Sequence, residues 1–198
     1  MSWPNRITVF RLVLVTPFIL LLLYASQSPV CRYGAIGVMV LIGILDAADG
    51  IIARRTGTVT KIGSVLDPLA DKALMITALV AMTFPGVLSE DPSIRLPFWV
   101  SITLVSRDIF ILVGAMVVYH LVGFCQGVPS LIGKASTIMQ FIMLVLACAA
   151  PQFGWYSPVT QGILYTVWII TVLLGILSWI GYIRMGSKLL TAGTTGQT

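Results

Sequence analysis

Residues 159–182 run for twenty-four positions without one charged side chain. As a helix at ~1.5 Å per residue the run is roughly 36 Å long, enough to cross a hydrocarbon core about 30 Å thick. A backbone in lipid must satisfy its own hydrogen bonds, which leaves only helices or closed barrels. The run is continuously apolar and shows no alternation of period two, so helix is the reading. Five further apolar runs of similar length stand at about 7–25, 33–53, 62–84, 96–123 and 134–150. Composition agrees: 58% of residues are hydrophobic and 10% charged, with a mean hydropathy of +1.00. A soluble domain carries about 25% charged residues. The expectation is a single-domain, all-α integral membrane protein of six transmembrane helices over residues 1–198. The Gly- and Thr-rich tail from about residue 188 is expected to be disordered.

A net charge of +5, scattered along the chain, gives no basis for binding nucleic acid. It suits a multi-pass protein whose cytoplasmic loops follow the positive-inside rule and face anionic lipid. Of the twelve Lys and Arg residues, only Arg32 and Arg95 fall in the expected outer loops. That places both termini on the cytoplasmic side. The basic start before the first apolar run could also be read as a signal peptide. A retained helix is preferred, because Asn5, Thr8 and Arg11 recur at intervals of three along one helix face. The plain alternative for these three is a polar cap with snorkelling arginines. Cys31, Cys125 and Cys148 stand apart without metal-ligand spacing, and His120 is alone.

The chemistry concentrates between Asp46 and Asp71, where four of the seven acidic residues lie. Carboxylates at the ends of membrane spans are costly and are seldom without a task. Asp46, Asp49, Gly50, Ala53 and Arg54 share one face of a helix, and Gly63, Asp67 and Asp71 one face of a second. Thr56, Gly57, Thr58 and Thr60 mark a polar connection between the two. Four like charges brought together call for a cation between them. Mg²⁺ or Mn²⁺, hard ions with oxygen ligands that keep places for substrate phosphates, suit Asp46, Asp49, Asp67 and Asp71. Gly50 and Gly63 each weaken a helix by about 1 kcal/mol relative to Ala. Their missing side chains would let a ligand approach the backbone. Arg54 offers a planar donor fork to a phosphate oxygen.

The spacing D-x2-D-G-x2-A-R-x8-G-x3-D-x3-D, matched by Asp46, Asp49, Gly50, Ala53, Arg54, Gly63, Asp67 and Asp71, resembles the signature of the CDP-alcohol phosphotransferases. That resemblance implies transfer of a phosphatidyl group from CDP-diacylglycerol to an alcohol with release of CMP, in phospholipid biosynthesis. It implies two metal ions and six membrane helices, and it suggests Asp71 as general base. Relatives of this kind are commonly homodimers. The donor would be framed by Asp49, Gly50, Ala53, Arg54, Gly63 and Asp67. Asn5 and Thr8 would join from the N-x2-T-x2-R element that similar phosphatidyltransferases place beside the active site. Since Arg54, Arg55 and Lys61 lie within the motif region, the active site is expected on the cytoplasmic or matrix-equivalent face.

The acceptor is read from two places. Phosphatidylglycerophosphate synthases usually show R-E in the fourth span and K-x-K-T-x2-Q at the start of the fifth. Here the chain has Arg107-Asp108 and Lys134-Ala135-Ser136-Thr137 with Gln140. The second lysine is replaced by Ser136, which suits a phosphodiester better than a phosphate dianion. The chain therefore resembles the eukaryotic-type cardiolipin synthases of the same superfamily, with phosphatidylglycerol as favoured acceptor and glycerol 3-phosphate as alternative. Arg107, Lys134 and Asp108 are the acceptor candidates, with helix-to-helix glue as the plain alternative for Asp108 and Arg107. An arginine in hydrocarbon needs an anionic partner. Successive helical residues point ~100° apart, so Asp108 is expected to take up only part of the Arg107 charge, leaving Arg107 to meet the acceptor phosphate. The alternative of another class is an ion-coupled transporter, but no duplicated broken helix is present.

Overall fold

In the computed structural model, residues 3–56, 63–88, 95–122, 131–153 and 158–195 are described, with side chains within 9–48, 72–88, 95–117, 131–151 and 158–184. Among the described residues the structure is all-helical. In order come α1 (Trp3–Leu23), α2 (Pro29–Thr56), α3 (Gly63–Ala81), α4 (Phe98–Val122), α5 (Leu131–Ala149), a short 3-10 turn (Ala150–Phe153) and α6 (Pro158–Thr195). Three stretches among the described residues are long and apolar enough to cross a membrane: Pro29–Asp46, Leu131–Ala149 and Gln161–Arg184. Val9–Leu23 and Lys72–Ala81 are shorter apolar helical stretches.

Pro29 opens α2, where the fixed φ of proline suits a first helical position and its missing N–H removes no bond. Arg32 therefore lies inside the helix rather than in the outer loop expected from the sequence. It is buried, and its Nη2 donates to the Leu88 carbonyl at 3.1 Å. Close by in sequence, the Ser26 hydroxyl donates to the carbonyl of Gly86. Gly86 has φ +80°, a left-handed conformation that glycine adopts without strain. These bonds tie the α1–α2 turn to the segment after α3. At the other end of the chain, α6 runs on through Lys188 to Thr195, past the point where the sequence suggests the end of order.

The chain packs as two compact units, Met1–Pro97 with Leu144–Leu164, and Phe98–Met143 with Tyr165–Thr198. In the first unit α1 lies against both α2 and α3. A Cβ on Gly34 would come within 3.3 Å of the Leu21 side chain, so the missing side chain sets how closely α1 and α2 approach. Phe18, Leu22, Met39, Leu79 and Met82 fill this core.

In the second unit polar side chains join Leu104, Met143, Trp168 and Val172 in the interior. The outward residues of α6 are apolar, among them Ile169, Leu173, Ile176 and Ile180, whereas Thr171 and Ser178 are buried. On α4, Ser101, Arg107 and Asp108 face inward, and on α5 so do Ser136 and Gln140. Polar residues inside and aliphatic ones outside is the arrangement a bilayer favours, since packing and hydrogen bonds, not hydrophobicity, then hold the helices together. Gly175 permits the closeness: a Cβ there would stand 3.2 Å from Leu104 Cδ2.

Candidate active site

Asp46, Asp49, Gly50, Ala53 and Arg54 all lie on α2, which continues without a break to Thr56. Gly63 is the first residue of α3, and Asp67 and Asp71 follow on it. The helical spacing of both half-motifs is thus carried by real helices. Residues 57–62 lie outside the described residues, as do the side chains of Asn5, Thr8, Asp49, Ala53, Arg54, Asp67 and Asp71.

Asp46 is the motif carboxylate whose surroundings are described. Its Oδ1 pairs with Nη1 of Arg11, 35 positions earlier on α1. The arginine side chain is 2% exposed and the aspartate 48%. Arg11 therefore does not snorkel; it points into the first unit and meets the first carboxylate of the motif. The N-x2-T-x2-R element is brought to the motif by this residue. Carboxylates carried by α2 and α3 are the donor type a hard divalent cation takes, and Asp46 is about half exposed.

The acceptor candidates lie in the second unit. Lys134 is exposed near the start of α5. Arg107 and Asp108 are 1% and 0% exposed. The expectation that Asp108 is poorly placed for Arg107 is corrected here: Arg107 Nη1 donates to Asp108 Oδ1 at 2.6 Å. The two Cβ atoms diverge, but the long arginine stem bends its head back to the neighbouring carboxylate. Arg107 Nη2 also donates to the Ser178 hydroxyl at 3.2 Å and to the Gly133 carbonyl at 3.4 Å. The second oxygen of Asp108 accepts from Gln140 Nε2 at 2.9 Å. Arg107 Nε, Gln140 Oε1 and Ser136 Oγ have no protein partner among the described residues. The pair is charge-neutral and ties α4 to α5 and α6.

Ser178 was not foreseen; it is one of several hydroxyls in its run, with Thr160, Thr166 and Thr171, and nothing local sets it apart. Gln140 and Ser136 were conspicuous as polar residues at the start of a span, but not as partners of the fourth helix.

Three helices long and apolar enough to cross a membrane, a carboxylate-rich motif carried by α2 and α3, and an arginine set against its first aspartate together suit a membrane enzyme that handles phosphate-linked substrates. The profile of the CDP-alcohol phosphatidyltransferases matches residues 1–177, and the chain belongs to that family. It is similar to a putative cardiolipin synthase of Mycobacterium bovis, 27% identical over 83% of this chain and 80% of the relative. A probable phosphatidylglycerophosphate synthase of Mycobacterium tuberculosis is 31% identical over 72% of this chain and 63% of the relative. A CDP-diacylglycerol–glycerol-3-phosphate 3-phosphatidyltransferase of Aquifex aeolicus is 26% identical over 96% and 98%. Membership leaves the transporter alternative without support.

Proposed function

We propose that this chain moves the phosphatidyl group of CDP-diacylglycerol onto phosphatidylglycerol, forming cardiolipin and releasing CMP. The acceptor hydroxyl attacks the lipid-side phosphorus of the pyrophosphate. A new P–O bond forms, the bond to the CMP oxygen breaks, and the hydroxyl proton passes to Asp71. Asp46, Asp49, Asp67 and Asp71 would hold the divalent cations. Bound there, Mg²⁺ or Mn²⁺ would neutralise charge on the phosphates and acidify the hydroxyl, which a carboxylate alone does weakly. Gly50 and Gly63 leave the donor room at the backbone, and Arg54 meets a donor phosphate.

The choice of acceptor rests on one position of the second unit: a neutral, buried Ser136 stands where a phosphatidylglycerophosphate synthase pattern carries a second lysine. A phosphodiester needs less positive charge than the dianion of glycerol 3-phosphate. Glycerol 3-phosphate remains the second reading, favoured by the similarity that spans 98% of the Aquifex aeolicus relative. Purified protein offered both acceptors in competition, with labelled CDP-diacylglycerol, should yield labelled cardiolipin. Exclusive formation of phosphatidylglycerophosphate would overturn the choice of acceptor.

A further inference from the structure

We propose that Arg11 is a positioning residue for the cation site: through its contact with one oxygen of Asp46 it fixes the direction of the other. The inference rests on the divalent-cation reading above and goes beyond it, because Arg11 is neither a carboxylate nor part of the Asp46–Asp71 motif.

Three observations carry it. Arg11 is almost wholly buried although its run is apolar, so an arginine stands where hydrocarbon would be cheaper. Its head is placed on Asp46. Asp46 is half exposed, and the contact engages its Oδ1. A guanidinium holds a carboxylate at a set angle, whereas a lysine supplies charge without the fork. Carboxylates that ligate metals are commonly oriented in this way, and loss of such a partner typically costs 10–100-fold in affinity or activity. Arg11 also sits on α1, and α1 packs on both α2 and α3, the two helices that carry the motif. One side chain thereby ties the packing of α1 to the orientation of the first motif carboxylate.

The test uses the full chain in detergent, with Mn²⁺ as probe. Mn²⁺ binding and its EPR line shape are measured for the native protein, Arg11→Gln, Arg11→Lys, Asp46→Asn and the double variant Arg11→Gln/Asp46→Asn. Arg11→Gln is expected to shift the Mn²⁺ dissociation constant at least threefold and to change the line shape. It should lower kcat tenfold or more with the KM for CDP-diacylglycerol unchanged. Arg11→Lys should recover part of both losses. In the Asp46→Asn background, where three carboxylates remain, Arg11→Gln should add no further shift. An unchanged dissociation constant and line shape in Arg11→Gln would overturn the proposal. So would an equal shift in the Asp46→Asn background, or a failure to fold without Arg11 whichever side chain stands at 46. Asp67→Asn separates the two readings. If it leaves Mn²⁺ binding intact, the cation site itself is wrong; if it abolishes binding while Arg11 variants bind as the native protein does, only the role of Arg11 falls.

Discussion

At the scale of single residues, the motif carboxylates and glycines ask for different losses. Asp46→Asn and Asp67→Asn each remove a negative oxygen and keep the shape. If cations neutralise the substrate phosphates there, turnover should fall on the order of a hundredfold or more, the size seen when one preorganised electrostatic group is lost. Thermal unfolding in detergent should be little changed. Chelator should do the same to the native protein, and full activity in excess chelator would sink the cation reading. Gly50→Leu adds bulk where the donor is proposed to approach the backbone. CDP-diacylglycerol binding, measured by titration, should weaken at least tenfold while membrane insertion is unaffected. Unchanged binding would show that the space beside Gly50 is not used.

At the scale of helices, the Arg107–Asp108 pair joins α4 to Gly133 and Gln140 of α5 and Ser178 of α6. Removing one partner leaves the other charge buried, a loss of about 3–5 kcal/mol in comparable pairs. Asp108→Asn should therefore lower the unfolding midpoint sharply. The double variant Arg107→Met/Asp108→Leu should regain much of the loss, since no charge is then stranded. A double variant as unstable as the single one would mean that packing, and not the ion pair, holds these helices. What the sequence reveals here divides by range. The half-motifs lie on α2 and α3 as their spacing of three and four suggests, because helical periodicity is a local property. Arg11 meeting Asp46 joins residues 35 apart, and no periodicity reports that. Arg32 looked like a loop charge because Pro29 beside it reads as a turn, while the same proline serves as a helix start. The Arg107 error came from reasoning with Cβ directions, when the arginine stem is long enough to turn its head back.

At the scale of the whole molecule, the open matter is which membrane face carries the motif, and the charges outside the buried clusters decide it. Arg32 is now within α2 and bonded to Leu88, so it no longer counts as a loop charge. Arg95 is the other basic residue assigned outside, with Glu90 and Asp91 near it. By sequence position, Arg6, Arg54, Arg55, Lys61, Lys134, Arg184 and Lys188 would fall at the opposite ends of the six proposed spans. The positive-inside bias counts basic residues near span ends, where Arg32 still stands, and Asp or Glu hardly alter it; seven basic residues against Arg32 and Arg95 keep the asymmetry. The motif ends α2 and begins α3, on the side of Arg54, Arg55 and Lys61. Six proposed spans would return the C-terminal end of α6 to the face where α1 starts. The prediction is tested with single cysteines in a background where Cys31, Cys125 and Cys148 are replaced. Glu90→Cys should react with a membrane-impermeant maleimide in intact cells. Thr58→Cys and Ser187→Cys should react only after the membrane is opened. Labelling of Thr58→Cys in intact cells would place the motif on the outer face, away from a cytoplasmic supply of the nucleotide-linked donor. Opposite behaviour of Thr58→Cys and Ser187→Cys would mean an odd number of crossings between them, so the four proposed between α3 and α6 could not all be spans.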